Sequence, residues 1–347
     1  MKNFLKNYFS TVLFLILAYI FFFNNKYYSD FLIKDFSLRF TNFSINTLII
    51  YKGILIAYFV LLIPFYIYFK DKSKARVIIN FLHKKIKNIE YSIQNDEKVS
   101  ILAWSVKLFF APLMIVWLTG QIFTLLNNMY LGYNDLFILK DSFYLFFQKH
   151  LFWGVMSIIL FVDLIFFTIG YLIEIPILKN KIKSVEPTFL GWFIVLICYP
   201  PFNTHTTSII GWYSTEFPKF GNEYAHIFLN IIILFSMGIY SWASLSLGFK
   251  ASNLTNRGIV KKGPYKYIRH PAYISKNIAW WIGGLPILIG NIFTGQYKHF
   301  FIVFFSLSVW TFIYYMRAIT EERHLSLDED YIKYKKEVKY KFIPKVF

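Results

Sequence analysis

Eight apolar runs set the terms for this chain. The hydrocarbon core of a bilayer, about 30 Å thick, takes about 20 helical residues at 1.5 Å each. Segments 7–23, 47–69, 103–126, 152–178, 188–202, 224–247, 272–290 and 299–316 come close to that length. No soluble domain of 347 residues needs 56% hydrophobic and 22% aromatic residues against 16% charged to fill its core. The expected fold is an all-α integral membrane protein of about eight transmembrane helices. The fifth run is short and ends at Pro200 and Pro201, so it is expected either to break there or to continue through the "IIGWY" run at 209–213. The first follows Lys2 and Lys6 as a signal peptide would. Because "FFFNNKYYSD" offers no small-residue cleavage site, it reads as a retained anchor.

The net charge is +18. The cations gather in loops between the apolar runs, which points to an anionic membrane surface and to topology rather than to nucleic acid. With eight spans, both termini and alternate loops share one side, and that side holds 27 Lys and Arg against 7 on the other. The positive-inside rule therefore predicts both termini in the cytoplasm, and the expected location is a bacterial inner membrane. The single cysteine, Cys198, lies in an apolar run, so an intrachain disulfide is excluded and no cysteine-built metal site is expected.

Three charged residues inside the runs invite explanation. Lys107 and Glu174 lie near the same boundary on neighbouring spans and are expected to pair. Asp163 is near mid-membrane, where a carboxylate is either functional or a neutral acid hydrogen-bonded to another helix. Between the second and third runs, residues 70–99 place Val77, Phe81, Ile86, Ile89 and Ile93 among lysines, the pattern of an amphipathic helix on anionic headgroups.

Chemistry concentrates at the carboxyl end. The connection after the sixth run contains "GPYKYIRHPAY" (263–273), whose Pro271 suits the first turn of the next helix, where a missing N–H costs nothing. Arg269 and His270 then stand at a helix amino terminus that, with Lys266, favours a carboxylate or phosphate. The seventh and eighth runs form a hairpin, so Arg317, Glu321 and Glu322 of "MRAITEERHL" return to the same face. Read from residues alone, this cluster is either a ligand site or a surface Arg317–Glu321 pair, four apart on one helix, among interfacial tyrosines.

The order Gly-Pro-Tyr, Arg-His-Pro-x-Tyr, helical hairpin, Glu-Glu, Tyr-x-x-Tyr and closing Ile-Pro, carried here by "GPYKYIRHPAY", "TEERHL" and "DYIKYKKEVKYKFIP", resembles the isoprenylcysteine carboxyl methyltransferase family and the related membrane phospholipid methyltransferases. The resemblance covers about residues 245–345. Ser275 replaces a common Gly, and Leu327 with Asp328 replaces a common Phe-Gly. It implies a cytoplasmic carboxyl-terminal region that binds S-adenosylmethionine. Tyr265, His270, Pro271, Tyr273, Glu321 and Glu322 would stand at the cofactor, Arg317 and Arg269 would be catalytic, and Lys276 with Asn277 would meet the acceptor. Tyr267 is a further candidate for packing against the adenine or the sulfonium. The acceptor would be lipid-like or lipidated, a carboxylate or other ionised oxygen being preferred over an amine, which would need a base. No metal is required. On this reading residues 221–347 form the catalytic region and 1–220 a set of transmembrane helices of unassigned role. Two other readings compete: an NADPH-dependent membrane sterol or enone reductase, whose carboxyl-terminal half is similar, and a non-catalytic transporter or scaffold with Asp163 in its path.

Overall fold

The computed structural model describes residues 2–69 and 71–344; Lys70 and Lys345, two of the cations counted above, lie outside them. The long helices are α1 (Lys2–Asn24), α2 (Thr47–Tyr68), α3 (Lys74–Lys87), α4 (Asn95–Asn134), α5 (Phe152–Leu172), α6 (Glu223–Leu247), α7 (Pro271–Phe293) and α8 (Tyr297–Leu325), with α9 (Glu329–Glu337) closing the chain. Two antiparallel two-stranded pairs, β1 (Asp35–Ser37) with β2 (Ser44–Asn46) and β3 (Ser184–Val185) with β4 (Thr255–Asn256), cap opposite ends.

Six helical stretches of the described residues are long and apolar enough to cross a membrane: Asn3–Asn24, Thr47–Tyr68, Asn95–Asn134, Phe143–Leu172, Glu223–Lys250 and Tyr297–Leu325. Their outward faces carry apolar side chains such as Val60, Phe235 and Phe305, as a lipid solvent requires. The seventh predicted run forms one helix, α7, whose 23 residues rise about 34 Å but which is not among those six. Lys276, Asn277 and Asn291 lower its apolar content, and all three face inward or are largely buried.

The fifth predicted run takes the first of its two expected forms. It breaks into two short helices, Phe189–Leu196 and Phe202–Ile210, followed by an extended passage from Gly211. Inside a bilayer such a passage is tolerated only where protein satisfies its backbone. Here Trp310 Nε1 and Ser306 Oγ donate to the Gly211 carbonyl (2.9 and 3.1 Å), and the Thr215 N–H donates to the Gly283 carbonyl (3.3 Å). Glycine at 283 is what permits this, because a Cβ there would stand 2.3 Å from the Thr215 carbonyl oxygen. The chain thus runs from Phe189 to α6 without a single continuous helix.

The cation-rich segments converge on one face. Arg76 reaches Asn3, Lys74 and Lys107 both pair with Glu174, Lys181 pairs with Asp71, Lys183 with Asp328, and Lys261 with Glu337. The expected Lys107–Glu174 pair is present at 2.7 Å, joined by Lys74. On this face α3 buries Ala75 and Ile78 and leaves Leu82 and Ile86 outward beside Lys84, Lys85 and Lys87. The largest buried cluster packs α4 on α5 through Phe110 and Tyr171, stacked at 5.0 Å.

Candidate functional site

Helices α7 and α8 run antiparallel from this charged face, and α6 and the 252–255 loop close the space between them. The resulting cleft holds about 940 Å³ of empty space, open solvent included. Its position follows from local sequence. Pro271 begins α7 as expected, and a 3.6-residue period then places His270, Tyr273 and Lys276 on one face. On α8 the same period aligns Tyr314, Arg317, Glu321 and His324.

Of the residues singled out in the sequence, Tyr265, Arg269, His270, Tyr273, Lys276, Arg317 and Glu321 line the cleft. Pro271, Asn277 and Glu322 do not. Tyr267 is 62% exposed and also lies outside it. Asn277 donates from Nδ2 to the Tyr273 carbonyl (2.8 Å), while its Oδ1 is buried without a partner among the described residues.

The two adjacent glutamates differ sharply. Glu322 is buried and accepts from Arg269 Nε (2.8 Å), with His270 Nε2 at 3.1 Å and the Lys335 and Lys341 ammonium groups at 3.6 and 3.7 Å. It is the hub of the protein's own cations. Arg269 completes the lock by donating from Nη1 to the Val338 and Lys339 carbonyls, both at 2.7 Å. Backbone N–H groups of Arg269 and His270 bond to Tyr340 and Lys341 carbonyls in parallel. Glu321 is 44% exposed in its side chain and faces the cleft, accepting from the Tyr273 hydroxyl at 2.7 Å. His270 stacks on Tyr273 (5.4 Å, 6°) between the two acids.

Arg317 does not form the surface pair with Glu321. It is 3% exposed, donates from Nη2 to Asn253 Oδ1 (3.0 Å), and its guanidinium lies 4.7, 5.1 and 5.7 Å from the ring centres of Tyr314, Tyr273 and Tyr199. Its Nε is buried with no partner among the described residues. An aromatic cage with an unused donor suits a planar acceptor such as a carboxylate.

Several lining groups gave no signal in the sequence. Tyr199 comes from the broken fifth span, Asn253 from a loop, and Glu186 from the strand end at β3. Glu186 Oε1 accepts from Thr188 and from Arg323 (2.7 Å), whereas its Oε2 is buried and unpartnered among the described residues. β3 and β4, far apart in the chain, pair through Val185↔Thr255 and Ser184↔Asn256, and this holds the 252–255 loop over the cleft. Asp163 has partners on another helix, as one expectation held: the Tyr240 and Ser244 hydroxyls of α6 donate to its two oxygens.

On the charged face outside the spans, Asp328 shows the local electrostatics. Burial alone would raise its pKa, but hydrogen bonds from Asn256, the Asp330 N–H and Lys183 outweigh that and hold it below the ordinary carboxylate value. Tyr265 is driven upward by burial and by the neighbouring Glu321 charge, so it stays a neutral phenol.

These features fit a ligand that is zwitterionic at one end and aromatic at the other. Among the described residues no group of three or more His, Cys, Asp or Glu could hold a metal ion. No curated protein and no solved structure matches the chain. A family model does: residues 226–327, from the first turn of α6 to just past α8, match the isoprenylcysteine carboxyl methyltransferase (ICMT) family.

Proposed function

We propose that the protein transfers a methyl group from S-adenosylmethionine to a lipid-like or lipidated acceptor at the membrane surface. The observation that carries this reading is the Arg317 cage at the inner end of a cleft whose outer end is lined by Glu321, His270 and Tyr265. S-adenosylmethionine, when bound, supplies an electrophilic methyl on a sulfonium, so the protein's task is alignment rather than bond activation.

Each part of the cleft has a role in this reading. Glu321 offers a carboxylate to an ammonium or a ribose diol, and Glu186 Oε2 is a second free acceptor. His270 and the first turn of α7 favour the ligand carboxylate. Tyr265 and Tyr273 give aromatic faces to the adenine or the cation. Arg269 and Glu322, bonded to each other and to the carboxyl-terminal backbone, fix the shape of this wall. Arg317 is assigned to the acceptor, orienting an ionised oxygen with its planar fork, and Asn277 steadies the backbone of Tyr273 from behind.

The remaining assignments follow the charge pattern. Residues 221–347 form the catalytic region, and 1–220 form a scaffold that also lends Glu186 and Tyr199. The cation-rich face and both termini are cytoplasmic, so a water-soluble cofactor arrives from that side and an apolar tail from the bilayer. The competing NADPH reductase reading would leave Glu321 facing a polyphosphate anion, which disfavours it. Untargeted mass spectrometry of lipids and proteins from cells with and without the gene tests the proposal. A species that gains the mass of one methyl-for-hydrogen exchange only when the gene is present is the expected result.

A further inference from the structure

A second group of cations lies outside the cleft, where the chain leaves α6. Lys250 ends the short turn Gly248–Lys250 that follows α6, and Lys183 stands just before β3. Their side chains meet over Gly258: a Cβ there would stand 3.1 Å from Lys250 Nζ and 3.8 Å from Lys183 Cε. Glycine, at a φ of +98° that other residues rarely adopt, leaves that space open. Lys262 is brought alongside because its neighbour Gly263 packs against Ser246 and Trp242 in the last turns of α6. Lys179 follows the turn Pro176–Leu178, four residues before Lys183. Both add their charge to the field at Lys250.

The described residues neutralise this group only in part. Asp328 meets Lys183 at 3.3 Å, but the same oxygen accepts from Asn256 Nδ2 (2.8 Å) and the other from the Asp330 N–H (3.0 Å). Lys179, Lys250 and Lys262 have no ion pair among the described residues. Like charges gathered in one place repel, and an anion entering among them turns that repulsion into attraction. The surroundings say which anion fits. Apolar side chains turn outward directly beside the group, Ile177 just before Lys179 and Trp242 with Leu245 in the last turns of α6. Cations above a lipid-facing apolar shoulder stand at the level of phospholipid headgroups.

We propose that Lys183, Lys250 and Lys262, with Lys179 beside them, form a binding site for a phosphate-bearing anion, at the depth where an anionic phospholipid presents its headgroup. The site is separate from the cleft, since none of the four lysines lines it, and its occupation does not depend on methyl transfer. It brackets the loop that covers the cleft: Lys250 precedes 252–255, Lys262 follows it, and the strand after Lys183 pairs with its end. Ammonium groups suit phosphate because they meet it as compact point charges.

The test uses the full chain in phosphatidylcholine nanodiscs, with the melting temperature as readout. Rising fractions of phosphatidylglycerol should stabilise the wild type saturably. The double variant Lys250→Gln/Lys262→Gln should lose about 30-fold in apparent affinity for phosphatidylglycerol, about fivefold for each lysine at a membrane surface. Lys85→Gln/Lys87→Gln on α3 removes the same charge elsewhere on the face and should keep the wild-type response. In phosphatidylcholine alone, Lys250→Gln should melt no lower than the wild type, because it relieves repulsion; a lysine needed only for packing would give a lower value. Should the double variant fail to fold, Lys262→Gln, at an exposed position, should still lose about fivefold. Inorganic pyrophosphate added to phosphatidylcholine discs separates the sources. Stabilisation by pyrophosphate and not by phosphatidylglycerol, lost in the double variant, assigns the same site to a soluble polyphosphate. No response of the wild type to either anion would overturn the proposal, as would an undiminished response in the folded double variant or an equal loss in the α3 variant.

Discussion

Glu321 and Glu322 are neighbours in sequence with opposite duties, and their separate replacement by glutamine is the sharpest test of the site's construction. In Glu322→Gln the buried Arg269 loses its counter-charge. Removing one partner of a buried ion pair costs about 3–5 kcal/mol. The glutamine carbonyl still accepts from Arg269 Nε, and Arg269 keeps the Val338 and Lys339 carbonyls, so the lower end, about 3 kcal/mol, is expected. That is about a 150-fold shift in the local equilibrium. The loss should appear where Arg269 acts, in the segment 338–341 that it holds against α7, as tryptic cleavage after Lys339 and Lys341 together with a lower melting temperature. Glu321 is 44% exposed and, among the described residues, bonds to Tyr273 and, at 3.7 Å, to His270, so Glu321→Gln should leave stability within about 1 kcal/mol and reduce S-adenosylmethionine affinity instead. Wild-type melting and proteolysis in Glu322→Gln would refute the hub, and unchanged cofactor affinity in a folded Glu321→Gln would remove that acid from the site.

Three further outcomes are expected. Arg317→Lys should keep cofactor affinity but lower single-turnover methyl transfer by about 10- to 100-fold, because an ammonium reproduces neither the planar fork nor the packing among Tyr199, Tyr273 and Tyr314; near wild-type transfer would refute its role. Asp328 has a folded pKa below the ordinary carboxylate value, so its contribution to stability is complete above about pH 4 and is lost as pH falls through the folded value. Thermal melts across that acid range should therefore show a smaller pH dependence in Asp328→Asn than in the wild type. In a Cys198→Ala background, a cysteine at Lys262 should resist membrane-impermeant labelling of intact cells and one at Lys219 should label freely; the reverse pattern would invert the topology.

What the sequence disclosed follows from the range of the interactions involved. Helix periodicity and a hairpin suffice to bring Tyr273 to Glu321 and His270 to Glu322, and both contacts are found. The charge bias of loops suffices to predict one cation-rich face, and Lys107 meets Glu174 as two charges near one boundary should. The assignment of the two glutamates was not legible, because it depends on Lys335, Lys341 and the carbonyls of 338 and 339 folding back onto Arg269. Nor was the contribution of Glu186 and Tyr199, which reach the cleft through a two-residue strand pair and a broken helix. In a chain with 26 tyrosines, nothing local distinguishes the three that cage Arg317 from those that anchor a headgroup. The Gly283 contact that accommodates the extended passage 211–216 is equally invisible, since its partner lies 68 residues earlier in the chain.

Cofactor identity is the central claim, and a melting curve of the purified full chain with S-adenosylmethionine or NADPH tests it most directly. A ligand at 100 times its dissociation constant stabilises the folded state by about 2.7 kcal/mol. S-adenosylmethionine should therefore raise the melting temperature, saturably and less in Glu321→Gln than in the wild type, while NADPH leaves it unchanged. A rise with NADPH and none with S-adenosylmethionine would contradict the account.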